Sequence, residues 1–116
     1  MSDIRPLKVF VIGGGASGMM AALAARYKGA DVTILERNPR VGKKILATGN
    51  GRCNYTNVNL SANCYHGKNP DFVYGALSAF DVSKTIGFFE KLGIAPRVEE
   101  GGKVFPMSGQ ASSVLD

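Results

Sequence analysis

The sequence is poor in the residues that build metal centres and disulfide frameworks. Its 116 residues include one histidine (His66), two cysteines and no tryptophan. Cys53 and Cys64 do not form a CxxC pair, and no set of Cys and His ligands accompanies them. Structural zinc is held by such closely spaced sets, so we expect no metal site. The spacing of the two cysteines permits a disulfide, but nothing else in the sequence indicates an oxidising compartment.

Long apolar runs are also missing. The run at residues 9–12 is far shorter than the roughly 20 residues that a membrane-spanning helix needs. Residues 1–8 lack the order of a signal peptide, because the acidic Asp3 precedes this short run. We therefore expect a cytoplasmic protein with no membrane partner.

Positive charge exceeds negative charge, with 14 Lys and Arg against nine Asp and Glu and a net charge of +5. A basic surface can attract nucleic acid or an anionic membrane, or the cations can serve phosphates or a partner domain. The basic residues are dispersed apart from a short cluster at residues 37–44, and no aromatic-rich RNA-binding motif accompanies them. We expect a small-molecule substrate and no nucleic acid.

The first third of the chain has the pattern of a βαβ unit. Residues 8–12 form an apolar, β-branched run that is typical of a strand buried on both faces of a parallel sheet. Residues 17–28 are rich in Ala, Met and Leu and predict a helix that Gly29 ends. Residues 31–36 predict a second strand, joined to the first by a right-handed crossover.

The rest of the chain is less regular. Residues 37–63 alternate Gly, Asn, Thr and basic residues, and so long a loop usually binds something. The further predicted elements are a helix over 72–80, a helix over 82–92 capped by Asp81 and ended by Gly93, a hairpin over 97–105, and a last helix capped by Ser108. Two parallel strands do not complete a doubly wound sheet. We therefore expect residues 1–116 to be the N-terminal part of a larger α/β fold, completed by the rest of the same polypeptide.

A glycine motif lies between the first strand and the first helix. Gly13, Gly15 and Gly18 match GxGxxG. In such a motif the first glycine permits a tight turn, the second lets the backbone approach a pyrophosphate, and the third lets the helix pack on the strand. The pyrophosphate then faces the helix N-terminus, which favours an anion. A lone GxGxxG also occurs as a flexible turn, but here it follows a predicted strand and opens a predicted helix.

Glu36 closes the second predicted strand, where an acid accepts hydrogen bonds from ribose hydroxyls. An acid suits a free 2′-hydroxyl and repels a 2′-phosphate, so NADP is disfavoured at this position. Arg37 beside it stacks on adenine or lies in solvent. FAD and NAD both carry a free 2′-hydroxyl, and the motif alone does not separate them.

A second cluster of small and basic residues follows at residues 41–54. Gly49 and Gly51 allow close backbone approach, Arg52 offers a planar donor, and Lys44 adds a point charge. These groups suit phosphates and the polar edge of a flavin, although an exposed basic loop is the simpler alternative. Cys53 lacks a CxxC partner, so we interpret it as a small buried thiol.

Four stretches resemble the N-terminus of the BaiN-like (YhiN-like) flavoproteins. They are VFVIGGGASGMMAA at residues 9–22, VGKKILATGNGRCNYTN at 41–57, and the later FFEKLGI and GGKVFPMSGQASSVLD. The segment from Gly49 to Asn57 is much more specific than GxGxxG. The resemblance implies an FAD-dependent oxidoreductase with a Rossmann-like βαβ domain of the glutathione-reductase type, NAD(P)H as electron donor, and a small-molecule substrate.

The resemblance also implies how the cofactor is held. Gly13, Gly15, Ala16 and Ser17 would meet the pyrophosphate, and Glu36 and Arg37 would meet the adenosine. The flavin half would be approached by a set of residues from the second cluster, namely Lys44, Thr48, Gly49, Gly51, Arg52 and Asn54. No catalytic residue is assigned. The alternatives are an NAD-binding dehydrogenase without flavin and a non-catalytic nucleotide-binding module.

Overall fold

A computed structural model describes residues 5–116 of the chain. The chain forms two compact units, Met1–Leu46 and Ala47–Asp116. The interpretation of residues 1–8 as lacking a signal peptide falls partly on residues 1–4, outside the described residues.

The first unit is a βαβ unit. Strand β1 (Lys8–Ile12) is followed by helix α1 (Ala16–Tyr27) and strand β2 (Asp31–Leu35). The strands pair in parallel, with Lys8 opposite Asp31 and Ile12 opposite Leu35. The predicted strand–helix–strand order is therefore confirmed, with bounds within about two residues of the predicted ones.

Helix α1 ends as its sequence predicts. Gly29 has a φ of 90°, a left-handed conformation that residues with a Cβ rarely adopt. Its N–H donates to the carbonyl of Arg26 at 2.9 Å, which satisfies one of the last carbonyls of the helix. The chain can then turn directly into β2.

The prediction that the first strand is buried on both faces is wrong for the described chain. Val9 and Val11 are half-buried on the face that α1 covers, whereas Phe10 is 61% and Ile12 79% exposed. On β2, Leu35 is 48% exposed on the same open face. The apolar run does form a strand, but the described residues of the first unit provide no second layer to bury its other face.

The predicted irregular segment at residues 37–63 contains short pieces of regular structure. These are 3-10 turns at Ile45–Gly51 and Ala62–Cys64 and the two-residue strand β3 (Thr56–Asn57). Turns of this kind stabilise a loop locally without forming a continuous helix or strand.

Two helices follow in the second unit. A 3-10 turn at Pro70–Phe72 leads into α2 (Val73–Ala79), and α3 spans Val82–Lys91. The predicted N-cap of α3 is confirmed, because the Asp81 carboxylate accepts a hydrogen bond from the backbone N–H of Lys84 at 2.8 Å.

The predicted hairpin is confirmed as strands β4 (Pro96–Val98) and β5 (Lys103–Pro106), joined by a 3-10 turn at Glu100–Gly102. Strand β3 pairs on the other side of β5, which gives the antiparallel order β3-β5-β4. Strand β5 is the centre of this unit, since Val104 is fully buried and Phe105 is 6% exposed.

The last helix, α4 (Ala111–Leu115), forms, but Ser108 is not its cap residue. Gln110 occupies the cap position, and the Ser108 hydroxyl instead accepts from the Gln110 N–H at 3.2 Å and lies 2.7 Å from the Ser113 hydroxyl. The prediction was therefore wrong by two residues, although Ser108 does contribute to the start of this helix.

Within residues 5–116, no helix combines the length and apolar character needed to cross a bilayer. Cys53 and Cys64 are both free thiols, so the disulfide that their spacing permits is not formed.

Candidate functional site

The three glycines of GxGxxG differ in what surrounds them. Gly13 has a φ of 98°, which lets the chain turn sharply out of β1. A Cβ on Gly18 would lie 1.9 Å from the Gly13 carbonyl oxygen, so the close contact between the turn and α1 requires a hydrogen there. A Cβ on Gly15 would meet nothing within 4 Å. Gly13 and Gly18 therefore serve the fold, whereas Gly15 borders open space at the N-terminus of α1.

Glu36 is tied to the glycine turn. One carboxylate oxygen, Oε1, accepts a hydrogen bond from the backbone N–H of Gly14 at 2.8 Å. The other, Oε2, accepts from the N–H of Asn38, also at 2.8 Å. The side chain thus links the carboxyl ends of β1 and β2, and each oxygen keeps a lone pair for a further donor such as a hydroxyl.

These two backbone donors also set the charge of Glu36. Hydrogen bonds from the N–H groups of Asn38 and Gly14 stabilise the ionised form and lower the pKa of the carboxyl below its ordinary value. The site therefore presents a carboxylate at neutral pH. A carboxylate favours a free ribose hydroxyl and opposes a phosphate at the same place.

Gly14 is the buried centre of this arrangement. Its carbonyl accepts a hydrogen bond from the N–H of Gly42 at 2.7 Å, so the chain after β2 returns to the glycine turn. A Cβ on Gly14 would lie 2.6 Å from Cγ1 of Val41 and 3.3 Å from Cγ2 of Ile34. The middle glycine is therefore required by packing, a role that the GxGxxG pattern does not specify.

The other predicted residues of the first unit lie at its surface. Ala16 and Ser17 occupy the first turn of α1, and both are exposed. Arg37 and Lys44 are exposed as well. Backbone N–H groups in the first turn of a helix lack acceptors within the helix, which makes the Gly15–Ser17 region a suitable anion site.

In the second unit, the chain turns through a run of left-handed residues that we call the left-handed loop, residues 49–53. Gly49, Asn50, Gly51 and Cys53 have φ values of 55°, 56°, 84° and 60°. Asn50 and Cys53 carry side chains in a conformation that costs free energy, and such strain is commonly found at ligand sites.

The left-handed loop folds closely on itself. The N–H of Arg52 donates to the Gly49 carbonyl at 3.1 Å, and the N–H of Cys53 donates to the Thr48 carbonyl at 2.9 Å. A Cβ on Gly49 would lie 2.4 Å from the backbone nitrogen of Asn54, so only glycine fits there. The side-chain amide of Asn54, oriented to satisfy both groups, donates to the carbonyls of Thr56 at 2.9 Å and Val104 at 3.3 Å.

The Arg52 side chain has protein partners on several sides. Its Nη1 donates to Oε1 of Glu99 at 3.1 Å, and its Nη2 forms an ion pair with Oε2 of the same carboxylate. The guanidinium carbon lies 4.1 Å from the centre of the Phe105 ring, in cation–π contact. The pair raises the pKa of Arg52 and lowers that of Glu99, so both groups are charged.

Cys53 is buried, with 6% of its surface exposed, as the sequence predicts. Burial raises the pKa of its thiol, although a hydrogen bond with Thr48 acts in the opposite direction. A thiol that stays protonated is a poor nucleophile and a poor metal ligand. Across residues 5–116, no three His, Cys, Asp or Glu side chains are grouped so that they could hold a metal ion.

Comparison with known proteins identifies the kind of chain that carries these features. Residues 7–116 match the family described as the HI0933-like protein Rossmann domain. The chain belongs to this family. The match covers both the glycine turn and the left-handed loop, and it confirms the resemblance to the BaiN-like flavoproteins and the Rossmann α/β fold.

Curated proteins similar to this HI0933-like chain include enzymes with different named substrates. A 3-dehydro-bile acid delta(4,6)-reductase of Clostridium scindens is 49% identical over 94% of the chain and 27% of that enzyme. Ribosomal RNA dihydrouridine synthases of Escherichia coli and Haemophilus influenzae are 36% and 34% identical, over 91% and 82% of the chain and 26% and 24% of those enzymes. The chain thus spans about a quarter of the length of these relatives.

The geometry of the HI0933-like domain fits one end of a dinucleotide. Gly15 leaves space at a helix N-terminus for a pyrophosphate, and Glu36 presents an ionised carboxylate fixed by Gly14. The residues present are therefore compatible with the nucleotide or flavin cofactor that the Rossmann family implies.

Sequence reasoning missed the residues that hold the predicted ones in place. The N–H groups of Gly14 and Asn38 hold the Glu36 carboxylate, and Val41 lies close to Gly14. Glu99 and Phe105 hold Arg52. The signal for Gly14 was that three glycines stand in a row at 13–15, although GxGxxG requires only the first and the third of them. Glu99 lies 47 positions from Arg52, and no local pattern connects the two.

Proposed function

We propose that this chain is the dinucleotide-binding part of an FAD-dependent oxidoreductase that reduces a carbon–carbon double bond next to a carbonyl group. The observation that carries the proposal is the Glu36 carboxylate held by the Gly14 N–H beside an open helix N-terminus. Membership of the HI0933-like Rossmann family supports a flavin rather than a nicotinamide dinucleotide at this position.

Different residues of the chain would bind different parts of the cofactor. Gly13, Gly15, Ala16, Ser17 and Gly18 would surround the pyrophosphate, while Glu36 would accept hydrogen bonds from the adenosine ribose and Arg37 would lie near the adenine. Lys44 and four residues in or beside the left-handed loop, namely Thr48, Gly49, Gly51 and Asn54, would approach the flavin half, and Arg52 would support that loop. When bound, FAD supplies the two-electron chemistry, and the chain binds, orients and shields it.

The substrate class follows from the chemistry that the relatives' names share. A delta(4,6)-reductase of a 3-dehydro-bile acid removes double bonds near a 3-keto group, and dihydrouridine is uridine with its ring double bond reduced. Both reductions add a hydride and a proton across a double bond next to a carbonyl. We propose a small unsaturated ketone as the substrate and NAD(P)H as the electron donor, in line with the higher identity to the bile acid enzyme.

Reduction of uridine in ribosomal RNA is the second candidate function. Two observations favour it: the net charge of +5 and the identity of 36% and 34% to two ribosomal RNA dihydrouridine synthases. A basic protein is attracted to RNA by its phosphates, and this attraction weakens as salt is raised.

The cofactor is tested first. The purified protein should show the visible absorbance of a flavin, and the flavin released on denaturation should co-migrate with FAD. A colourless protein that takes up no flavin on reconstitution would overturn the proposal. Uptake of NAD alone would favour a dehydrogenase without flavin, and uptake of neither would favour a non-catalytic module.

The substrate is tested with the reduced, flavin-loaded protein under anaerobic conditions. A steroid with a keto group conjugated to a double bond should reoxidise the flavin and lose that double bond. Ribosomal RNA lacking dihydrouridine is tested in parallel as a substrate. The formation of dihydrouridine is followed by mass spectrometry of the nucleosides. Reoxidation by RNA and not by the steroid would support the second candidate. Rapid reduction by NADH or NADPH identifies the donor.

We also propose that further parts of the same polypeptide cover the open face of the β1–β2 sheet. Phe10 and Ile12 are exposed there, and parallel sheets are normally covered on both faces. A chain limited to residues 1–116 should bind a hydrophobic dye strongly and flavin poorly, whereas a protein as long as the relatives should do the reverse.

We place the protein in the cytoplasm, which cell fractionation tests.

A further inference from the structure

We propose that Glu99 is a positioning residue for the flavin half of the site, acting through Arg52 to fix the left-handed loop, and that Arg52 is not itself a ligand of the cofactor. This inference rests on the proposed function, since it concerns the same FAD site. It assigns a role to Glu99 and Phe105, which lie far along the chain from every residue of the nucleotide-binding motif.

The first argument is that the binding groups of Arg52 are already engaged. A guanidinium binds a phosphate best through two parallel N–H groups, but Nη1 and Nη2 of Arg52 both point at the Glu99 carboxylate. The Phe105 ring lies against one face of the guanidinium, at 4.1 Å. The pair carries no net charge, so its attraction for an anion is much weaker than that of a free arginine.

The second argument is that the left-handed loop needs support. Asn50 and Cys53 have φ values of 56° and 60°, and residues with side chains keep such angles only where the surroundings enforce them. Arg52 lies between these two residues in the sequence. Its side chain is anchored to Glu99 and Phe105, and its backbone N–H is bonded to Gly49, so it holds the middle of the loop.

The third argument is that Glu99 is itself fixed. Its backbone N–H donates to the Lys103 carbonyl at 2.8 Å, and its carbonyl accepts from the Gly102 N–H at 3.0 Å. It therefore belongs to the closed turn between β4 and β5, next to the buried Phe105. A carboxylate on such a closed turn can hold the Arg52 side chain, and with it the left-handed loop, in a fixed place relative to the hairpin. A carboxylate on a mobile loop could not do so.

The experiment is a double-mutant cycle on the intact protein, with the dissociation constant of FAD and the absorption spectrum of bound FAD as readouts. Glu99→Gln and Arg52→Met should each weaken FAD binding by about tenfold, and the double variant should be no worse than either single one. The bound flavin spectrum should shift in the same way in all three. Glu100→Gln is the matched control, because it removes the neighbouring exposed carboxylate and should leave both readouts unchanged.

A direct role of Arg52 predicts the opposite sign for Glu99. If Arg52 binds the cofactor, Glu99→Gln frees the guanidinium and FAD binds as tightly as before or more tightly, while Arg52→Lys keeps most of the affinity. That result would overturn the proposal, as would losses that multiply in the double variant. We expect Arg52→Lys to behave like Arg52→Met, because an ammonium group forms neither the two-point bond nor the ring contact.

Two further measurements cover failure of folding and failure of the proposed function. Glu99→Asp keeps the charge but shortens the side chain by one methylene, and it should weaken FAD binding in the same direction if Glu99→Gln unfolds. Hydrogen exchange without flavin should be faster at residues 49–54 in the Glu99 variants than in the wild type. If the wild type binds no FAD, the proposed function fails, yet unchanged exchange in these variants would still separately overturn the positioning role of Glu99.

Discussion

The carboxylate of Glu36 accepts a hydrogen bond from the backbone N–H of Gly14 at 2.8 Å, which joins the end of β2 to the glycine turn after β1. The acid that sequence patterns assign to a ribose is thus also part of the framework of the turn. Its orientation is fixed before any cofactor binds, and a ligand would not have to order it.

Glu36→Gln should weaken FAD binding by at least tenfold. The substitution keeps the shape of the side chain, but it removes the charge and places an amide NH₂ against one of two N–H donors. The measurement is a fluorescence titration of the flavin-free protein with FAD. Asp31→Asn, an exposed acid at the other end of β2, is the control and should bind FAD normally. Equal affinity in both variants would contradict the placement of the ribose.

The ionisation of Glu36, and with it the binding of FAD, should depend on pH in a defined direction. Hydrogen bonds from Asn38 and Gly14 lower the pKa of Glu36. The contribution of its carboxylate to the stability of the folded protein is therefore fully present above the ordinary carboxyl pKa of about 4.3. It is lost as the pH falls through the lower pKa of the folded protein. Carboxyl NMR signals followed from pH 7 downward should place the Glu36 midpoint below the ordinary carboxyl value. A midpoint at or above the ordinary value would contradict this prediction.

Gly15→Ala and Gly18→Ala should separate cofactor binding from stability. A Cβ at Gly18 would lie 1.9 Å from a backbone oxygen that cannot move aside, so we expect a loss of about 1–3 kcal/mol in the free energy of unfolding. A Cβ at Gly15 meets nothing, so stability should change by less than about 0.5 kcal/mol. Thermal denaturation and FAD titration of both variants test this. Normal FAD affinity in Gly15→Ala would show that the pyrophosphate does not lie beside Gly15.

Gly14→Ala should destabilise the protein, and Val41→Ala should restore part of the loss. The added Cβ would lie 2.6 Å from Cγ1 of Val41, and shortening Val41 removes that atom. Val41 is 37% exposed, so its truncation alone should cost about 1 kcal/mol or less. The measurement is denaturant unfolding of the two single variants and the double one. Additive losses would show that Val41 is not the obstacle.

The two cysteines should react with thiol reagents at very different rates. Cys64 is exposed, whereas Cys53 is buried and burial raises the pKa of its thiol, so its reactive thiolate is scarce. At neutral pH one thiol should be labelled quickly and the second only after unfolding. Cys64→Ser should abolish the fast phase and leave the slow one. Fast labelling in Cys64→Ser would show that the left-handed loop opens readily.

Local chemistry made much of the fold predictable. The β-branched runs, the Ala-rich helix and Gly29 define the βαβ unit, and Asp81 marks the start of α3, because each signal acts within a few residues. The wrong predictions depended on more distant context. Residues 8–12 resemble a fully buried strand, but the burial of Phe10 and Ile12 depends on what else packs there. Ser108 was predicted as a cap from its type alone.

Only the part of the candidate site that depends on local spacing could be predicted from the sequence. The spacing of Gly13, Gly15, Gly18 and Glu36 follows from the geometry of a strand, a turn and a helix, so the sequence reveals it. The support of Arg52 is set by tertiary contacts. Neither Glu99 nor Phe105 belongs to a repeating pattern with Arg52, and only the structure brings them together.

The 47 positions between Arg52 and Glu99 have a consequence for the order of folding. A contact between residues so far apart closes a long segment of chain, and we expect it to form late because the loss of chain entropy comes before the gain from the contact. Helices α2 and α3 depend on local contacts, so we expect them to form early and the left-handed loop to take its shape only after the hairpin has formed. We therefore expect the part of the proposed cofactor site that this loop forms to be completed in one of the last steps of folding.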